Sequence, residues 1–135
     1  MLADRVKLKN IAENWILLWN SPLEVSSFDD IHAENFIDFS SSGRPSDKNG
    51  FKEGIIKLLT AFPDLKTEID SVLIDEEKSQ IAIRWHSTGT NKLNYLGIGP
   101  TNRITKITGI EIIEIENDRI TKRWGEWDIS NHQNQ

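Results

Sequence analysis

The sequence contains no cysteine, no long apolar run and no long run of basic residues. Without cysteine the chain has no disulfide, no thiolate nucleophile and no thiolate ligand for zinc. No apolar segment approaches the roughly 20 residues that a membrane-spanning helix requires. The 21 acidic residues outnumber the 16 basic ones, which argues against a nucleic-acid or anionic-membrane surface. We therefore expect a soluble, cytoplasmic protein that binds neither nucleic acid nor membranes.

Motifs for the common cofactor-dependent mechanisms are also missing. The three histidines are too scattered for metal-ligand spacing, and neither a phosphate-binding loop nor a Gly-x-Ser-x-Gly motif occurs. Metal, nucleotide and acyl-enzyme mechanisms are therefore unsupported. We expect a site that works without metal or cofactor and takes a small hydrophobic molecule.

Hydrophobic spacing divides the chain into a helical first half and a β-rich second half. Apolar residues recur at helical spacing in three segments, which are 4–20, 24–33 and 46–62. Alternating β-branched segments follow a short strand candidate at 36–39, and they are 66–75, 79–90, 101–115 and 119–128. This order predicts one α+β domain over 1–135, with about three helices on the concave face of a curved antiparallel sheet and a polar tail at 129–135.

The last two strand segments predict a long hairpin with a two-residue turn at Asn117-Asp118. Such a turn pairs Ile115 with Ile120 and Glu111 with Trp124. One hairpin face then carries most of the apolar residues, namely Ile107, Ile113, Ile115, Ile120 and Trp124, and it carries three carboxylates as well, namely Glu111, Glu126 and Asp128. A carboxyl enclosed among apolar groups has a raised pKa, as a general acid or base near neutrality needs. We place the chemistry on this face.

Each candidate also has a structural explanation. Asp128 is either an acid/base group or a solvated carboxylate at a strand end, and Glu111 either contacts substrate or neutralises a buried arginine. Alternation in 81–88 favours the Trp85 side as the inner one. A curved sheet with a dimer partner can bury both sides, however, and Arg84 would then pair with an interior carboxylate while His86 relays a proton.

Aromatic residues supply candidate walls for a pocket. Those that we assign to substrate binding, together with Glu126, are Trp15, Trp19, Phe39, Phe62, Tyr95 and Trp124. Core packing explains the tryptophans and Phe62 equally well. Tyr95 lies in the segment 91–100, which is too long for a tight hairpin and is a candidate lid.

Several motifs together resemble the SnoaL-like polyketide cyclase family of the NTF2-like superfamily. They are Phe36-Ile37-Asp38, Ala61-Phe62-Pro63-Asp64, Thr108-Gly109-Ile110-Glu111 and Trp124-Gly125-Glu126-Trp127-Asp128. The resemblance implies a cone-shaped α+β barrel with a deep cavity, often a homodimer through the sheet. It also implies cofactor-free aldol ring closure, with Asp128 at the position of the family's acid/base aspartate. Phe39 and Asn91 stand where many relatives have histidine, and His86 stands where threonine is usual.

The expected function is therefore acid/base catalysis on a small hydrophobic carbonyl compound, either ring closure or a related isomerisation. The catalytic candidates are Asp128, His86, Glu111 and Arg84. One alternative is a module that binds a hydrophobic metabolite without turnover. Another is an epoxide hydrolase with an aspartate–arginine–aspartate site, although His86 stands where the aspartate after Arg84 would be needed.

Overall fold

The computed structural model describes residues 4–131 of the chain. Within that range the helices are α1 (Arg5–Leu17), α2 (Val25–Ile31) and α3 (Lys48–Ala61), and the strands are β1 (His32–Asp38), β2 (Lys66–Asp75), β3 (Gln80–Thr90), β4 (Ile104–Glu116) and β5 (Arg119–Asn131). None of the helices in this part of the chain is long and apolar enough to cross a membrane.

The strands form one curved, open sheet in the order β1-β5-β4-β3-β2. β1 runs parallel to β5, and the other neighbouring strands are antiparallel. α1 packs on β2 and β3, and α3 packs against β1. We call the face covered by the helices the inner face and the opposite one the outer face. The predicted α+β architecture is confirmed.

The ends of the helices follow from local capping. The Asp4 carboxylate accepts hydrogen bonds from the backbone N–H groups of Val6 and Lys7 and so starts α1. The Asp47 carboxylate caps α3 by accepting a hydrogen bond from the backbone N–H of Gly50 at 2.8 Å. At the other terminus β5 continues through Asn131. The expected polar tail at 129–135 is therefore wrong for 129–131, and the rest of it lies outside the described residues.

The inner face holds the hydrophobic core. Odd-numbered residues of β4, including Ile107 and Ile113, point under the helices, as the hairpin analysis predicted. On β3 the buried side chains are Ile81, Ile83 and Trp85. Tryptophan and phenylalanine rings from α1, α2, α3 and β1 fill the space between helices and sheet.

A β-bulge changes the register of the terminal hairpin. Ile115 pairs with Ile120 as predicted, but Glu114 pairs with Lys122, so Thr121 is an extra residue on β5. Because side chains alternate along a strand, one extra residue exchanges the two faces of everything beyond it. Glu111 therefore lies opposite Gly125, and Arg123 points inward and is buried.

The bulge overturns three expectations about β5. Asp128 pairs with Thr108 and is exposed on the outer face, so its expected interior position is wrong. Glu126 and Trp124 also alternate to the outer side, where the Trp124 ring stacks on Phe39 at 5.0 Å between centroids. Of the three carboxylates that we expected inside, only Glu111 is fully buried.

The outer face carries an apolar row across four strands. Leu73 pairs with Ala82, Ala82 with Ile112, and Ile112 with Trp124. The Leu73 side chain is largely exposed, and Ile112 is 39% exposed. Side chains on neighbouring strands at paired positions touch, so these four form a continuous apolar surface.

Candidate functional site

Four charged side chains form a network at the inner face. Arg123 donates from Nε to Glu111 at 2.6 Å and from one terminal nitrogen to Asp38 at 3.0 Å. Asp38 also accepts from Arg44, which follows β1 in the loop to α3. Asp38 and Glu111 are fully buried as side chains, and Arg123 nearly so. The two carboxylates and two guanidinium groups cancel in formal charge, as groups removed from water require.

Neighbouring groups fix the orientation of this network. The Trp85 indole N–H donates to the second oxygen of Glu111 at 3.2 Å. The Arg123 guanidinium carbon lies 5.2 Å from the centre of the Phe51 ring, which is a cation–π contact. The backbone N–H of Ser40 donates to Asp38 at 3.0 Å. Each carboxylate therefore has at least two donors.

Two glycines leave the space that the network occupies. A Cβ on Gly125 would collide with the Arg123 guanidinium and with the Glu111 carboxylate opposite. A Cβ on Gly109 would collide with the Trp85 ring, which lies across that position. At both sites a glycine is needed because a side chain from a neighbouring strand crosses the backbone closely.

Burial controls the protonation of Glu111. Desolvation raises the pKa of the Glu111 carboxyl above its ordinary value, and the contacts with Arg123 and Trp85 only partly offset this effect. Burial alone would lower the pKa of Arg123, but the charges of Glu111 and Asp38 outweigh it, so the pKa is raised and the guanidinium stays charged. Burial therefore favours the protonated form of Glu111 more than it would for an exposed glutamate.

The network borders a small cavity of about 50 Å³. Its lining includes Glu111, Arg123 and Arg44 together with five aromatic residues, namely Trp19, Phe51, Trp85, Tyr95 and Trp127. A cavity of this size has room for a few water molecules or for one functional group of a ligand. We call it the inner cavity.

A larger outer cleft of about 520 Å³ adjoins the inner cavity. Arg44, Gly54, Tyr95 and Trp127 line both spaces. The 91–100 segment contributes Tyr95 and Leu96 to the cleft, and these two residues lie on a tight turn in which Tyr95 and Ile98 exchange backbone hydrogen bonds of 2.9 Å. The outer cleft is within the size range of small-molecule sites, and the lid function of this segment stays a prediction.

Arg84 and His86, whose orientation the sequence left open, lie on the outer face. Arg84 is exposed, and His86 is bound to Asp70 with 2.8 Å between Nδ1 and the carboxylate oxygen. The orientation that alternation favoured, with Trp85 buried, is the observed one, so the alternative in which Arg84 and His86 face the interior does not hold.

The predicted pocket aromatics divide into two groups. Trp19 lines the inner cavity, Phe39 and Glu126 line the outer cleft, and Tyr95 lines both. Trp15 and Phe62 are fully buried core residues outside both linings, and Trp124 is absent from them as well. A role in substrate binding stays a prediction for the residues that line the two spaces.

Sequence reasoning missed Asp38, Arg44 and Arg123 as site residues. Asp38 belongs to a motif that carried the family resemblance, and an aspartate in an apolar strand is a usable signal. The prediction that Glu111 neutralises a buried arginine named the right chemistry, but the arginine is Arg123. No group of three or more potential metal ligands occurs among residues 4–131.

Comparison with solved structures identifies the class of fold. TsrD from Streptomyces laurentii has a TM-score of 0.82 and 18% identity, with coverage of 93% of this chain and 91% of that one. AclR from Streptomyces galilaeus has a TM-score of 0.80 and 18% identity, with 93% and 91% coverage. A SnoaL-like polyketide cyclase from Agrobacterium tumefaciens has a TM-score of 0.71 and 20% identity, with 90% and 91% coverage. The fold is the NTF2-like α+β cone.

Residues 5–135 match the model of the SnoaL-like polyketide cyclase family, and the chain belongs to that family. No protein among the curated sequences matches the chain.

Proposed function

We propose that the protein catalyses cofactor-free acid/base chemistry on a small hydrophobic carbonyl compound, with Glu111 as the base. The observation that carries this proposal is a fully buried carboxyl with a raised pKa that lines the inner cavity. Family membership supports carbonyl chemistry. Glu111 takes the role that we expected of Asp128, which is exposed on the outer face.

The charge balance of the network favours enolate formation. When Glu111 accepts a proton from the carbon next to a carbonyl, one of the two guanidinium charges loses its carboxylate partner. The enolate formed in the same step carries the compensating negative charge. Proton transfer therefore moves charge within a site that stays neutral overall. The low polarity of the surroundings makes the attraction between the guanidinium and the enolate stronger than it would be in water.

Ring closure follows from the same geometry. The enolate carbon attacks a second carbonyl of the same molecule, a carbon–carbon bond forms, and Glu111 returns its proton to the new alkoxide oxygen. The outer cleft holds the remainder of the substrate and brings the two carbonyls together. The natural substrate class is thus an apolar molecule with two carbonyl groups.

The base role can be tested without the natural substrate. In D₂O, the protein should accelerate deuterium exchange at the α-carbon of simple benzylic ketones such as 2-tetralone, followed by NMR. Glu111→Gln should lower that rate by about 100-fold or more, the usual contribution of a positioned base. Asp128→Asn is the matched control and should exchange at the wild-type rate.

Circular dichroism must show that Glu111→Gln is folded, because the variant leaves Arg123 with one anionic partner fewer. Equal rates for wild type and Glu111→Gln would contradict the proposal. So would wild-type protein that binds the ketones, as seen by NMR line broadening, without exchanging their protons. That second result would support a binding module without turnover.

Epoxide hydrolysis is the second candidate, and one specific observation favours it. Asp38, Arg123 and Glu111 form a carboxylate–guanidinium–carboxylate chain beside a cavity with room for water. Here Glu111 would activate the water that opens the epoxide, and the proton would end on the new hydroxyl. Conversion of small epoxides to diols by wild type but not by Glu111→Gln would establish this reaction instead.

A further inference from the structure

We propose that Arg44 binds the carbonyl oxygen of the substrate and stabilises the enolate oxyanion that forms there. This inference rests on the proposed function and adds the partner that the base requires. Arg44 lines both the inner cavity and the outer cleft, so a ligand that spans the two spaces passes it.

The hydrogen bonding of Arg44 is incomplete. One terminal nitrogen donates to Asp38, but Nε is buried and has no acceptor. A guanidinium has five N–H donors, and a buried donor without a partner costs about 1–3 kcal/mol. By contrast, Arg123 uses its Nε to hold Glu111. Nε has almost no accessible surface, so a ligand oxygen would meet the exposed part of the guanidinium, and the Arg44 side chain is 30% exposed.

The absence of a side chain at Gly54 makes room for this guanidinium. A Cβ at that position would lie 2.9 Å from Nε of Arg44, 3.0 Å from Cδ and 3.2 Å from Cζ. Gly54 is in the middle of α3, where glycine is unfavourable by about 1 kcal/mol relative to alanine. It lines the same two spaces as Arg44. The unfavourable residue therefore permits the present position of Arg44.

The surroundings suit an oxyanion. Tyr95 borders the same spaces, and burial raises the pKa of its phenol, although the nearby charges of Arg44 and Arg123 oppose that shift. The Tyr95 hydroxyl thus remains a neutral donor. A 1,3-dicarbonyl compound forms a stable enolate, which Arg44 can recognise before the chemical step and which Glu111 generates from the neutral form.

Dimedone is a suitable probe because its enolate is the stable form at neutral pH, and its O-methyl enol ether is a neutral analogue of similar shape. Calorimetry should show that the wild type binds the enolate at least about tenfold more tightly than the ether, the usual value of a charge-assisted hydrogen bond. Arg44→Lys keeps the charge beside Asp38 but lacks the planar guanidinium and its additional N–H donors, so it should lose most of this preference.

Two further variants distinguish hydrogen bonding by Arg44 from a general effect of positive charge at the cleft. Gly54→Ala keeps every charge and displaces the Arg44 guanidinium, so it should also weaken enolate binding while its melting temperature stays equal or rises. Lys57→Gln removes a charge from the cleft without touching Arg44 and should retain the preference. An unchanged preference in Arg44→Lys, an equal loss in Lys57→Gln, or no preference in the wild type would overturn the proposal.

The preference for the enolate does not depend on Glu111 acting as the base. Glu111→Gln should still prefer the enolate over the ether even though its deuterium exchange is lost. If ketone exchange fails in the wild type while the enolate preference depends on Arg44, the base role is wrong and the oxyanion site stands. The reverse pattern rejects the oxyanion site and keeps the base.

Discussion

His32 should make the protein less stable as the pH falls from 7 to 5. The side chain is fully buried, and its ring lies 4.1 Å from that of Phe28 and 4.8 Å from that of Phe36. Nε2 accepts the Trp15 indole N–H at 3.0 Å, so Nδ1 is the protonated nitrogen and donates to the Phe28 carbonyl at 2.9 Å. A second proton on Nε2 would oppose the Trp15 donor.

The size of the effect follows from the pKa. Burial lowers the pKa of His32 to about 4, against the ordinary value of 6.5 for an unperturbed histidine. Because the folded pKa is the lower one, the stability that neutral His32 contributes is present above about pH 6.5 and is lost as the pH falls toward 4. Linkage gives a loss of about 2 kcal/mol in the free energy of unfolding between pH 7 and pH 5.

Urea denaturation at pH 7 and pH 5 measures this loss. His32→Gln is less stable than wild type at both pH values because it removes a packed ring, but its decline between them should be smaller by about 2 kcal/mol. An equal decline in His32→Gln and wild type would refute the reasoning.

Three further predictions concern the sheet. We propose that the apolar row on the outer face is a homodimer interface, so light scattering should find a dimer in the wild type and a monomer in Ile112→Glu; a monomeric wild type would contradict this. Deletion of Thr121 should abolish cooperative unfolding followed by circular dichroism, because it removes the bulge and exchanges the faces of β5; a folded deletion variant would show that the bulge is dispensable. Gly125→Ala should lower the free energy of unfolding in urea by about 1–3 kcal/mol because its methyl group displaces Arg123 and Glu111; wild-type stability would contradict the close contact.

The sequence predicted most of the fold because the relevant signals are local. Periodicity located the helices and strands to within a few residues, and Asp4 was recognised as the cap of α1. Alternation along β4 also placed Glu111 in the interior. These features depend on which side chains can share a face, and that depends on strand geometry alone.

The register of β5 was beyond such reasoning. No glycine or proline marks the bulge at Thr121, and the two possible registers bury apolar groups of similar size, with Trp124 on one face and Trp127 on the other. What favours the observed register is the pairing of Arg123 with Glu111 and Asp38, which come from separate strands. Arg44 was missed for a related reason, since it lies in a polar loop and only the tertiary fold brings it to Asp38.

A carboxyl NMR titration of Glu111 tests the central claim most directly. In protein labelled with ¹³C at glutamate carboxyl carbons, the signal that Glu111→Gln removes reports the protonation of this residue alone. The midpoint of its titration should lie above 4.5, the ordinary pKa of an unperturbed glutamate. The rate of deuterium exchange into the ketone should rise with pH through the same midpoint. A midpoint at or below that value would contradict the account, because Glu111 would then be only the counter-ion of Arg123.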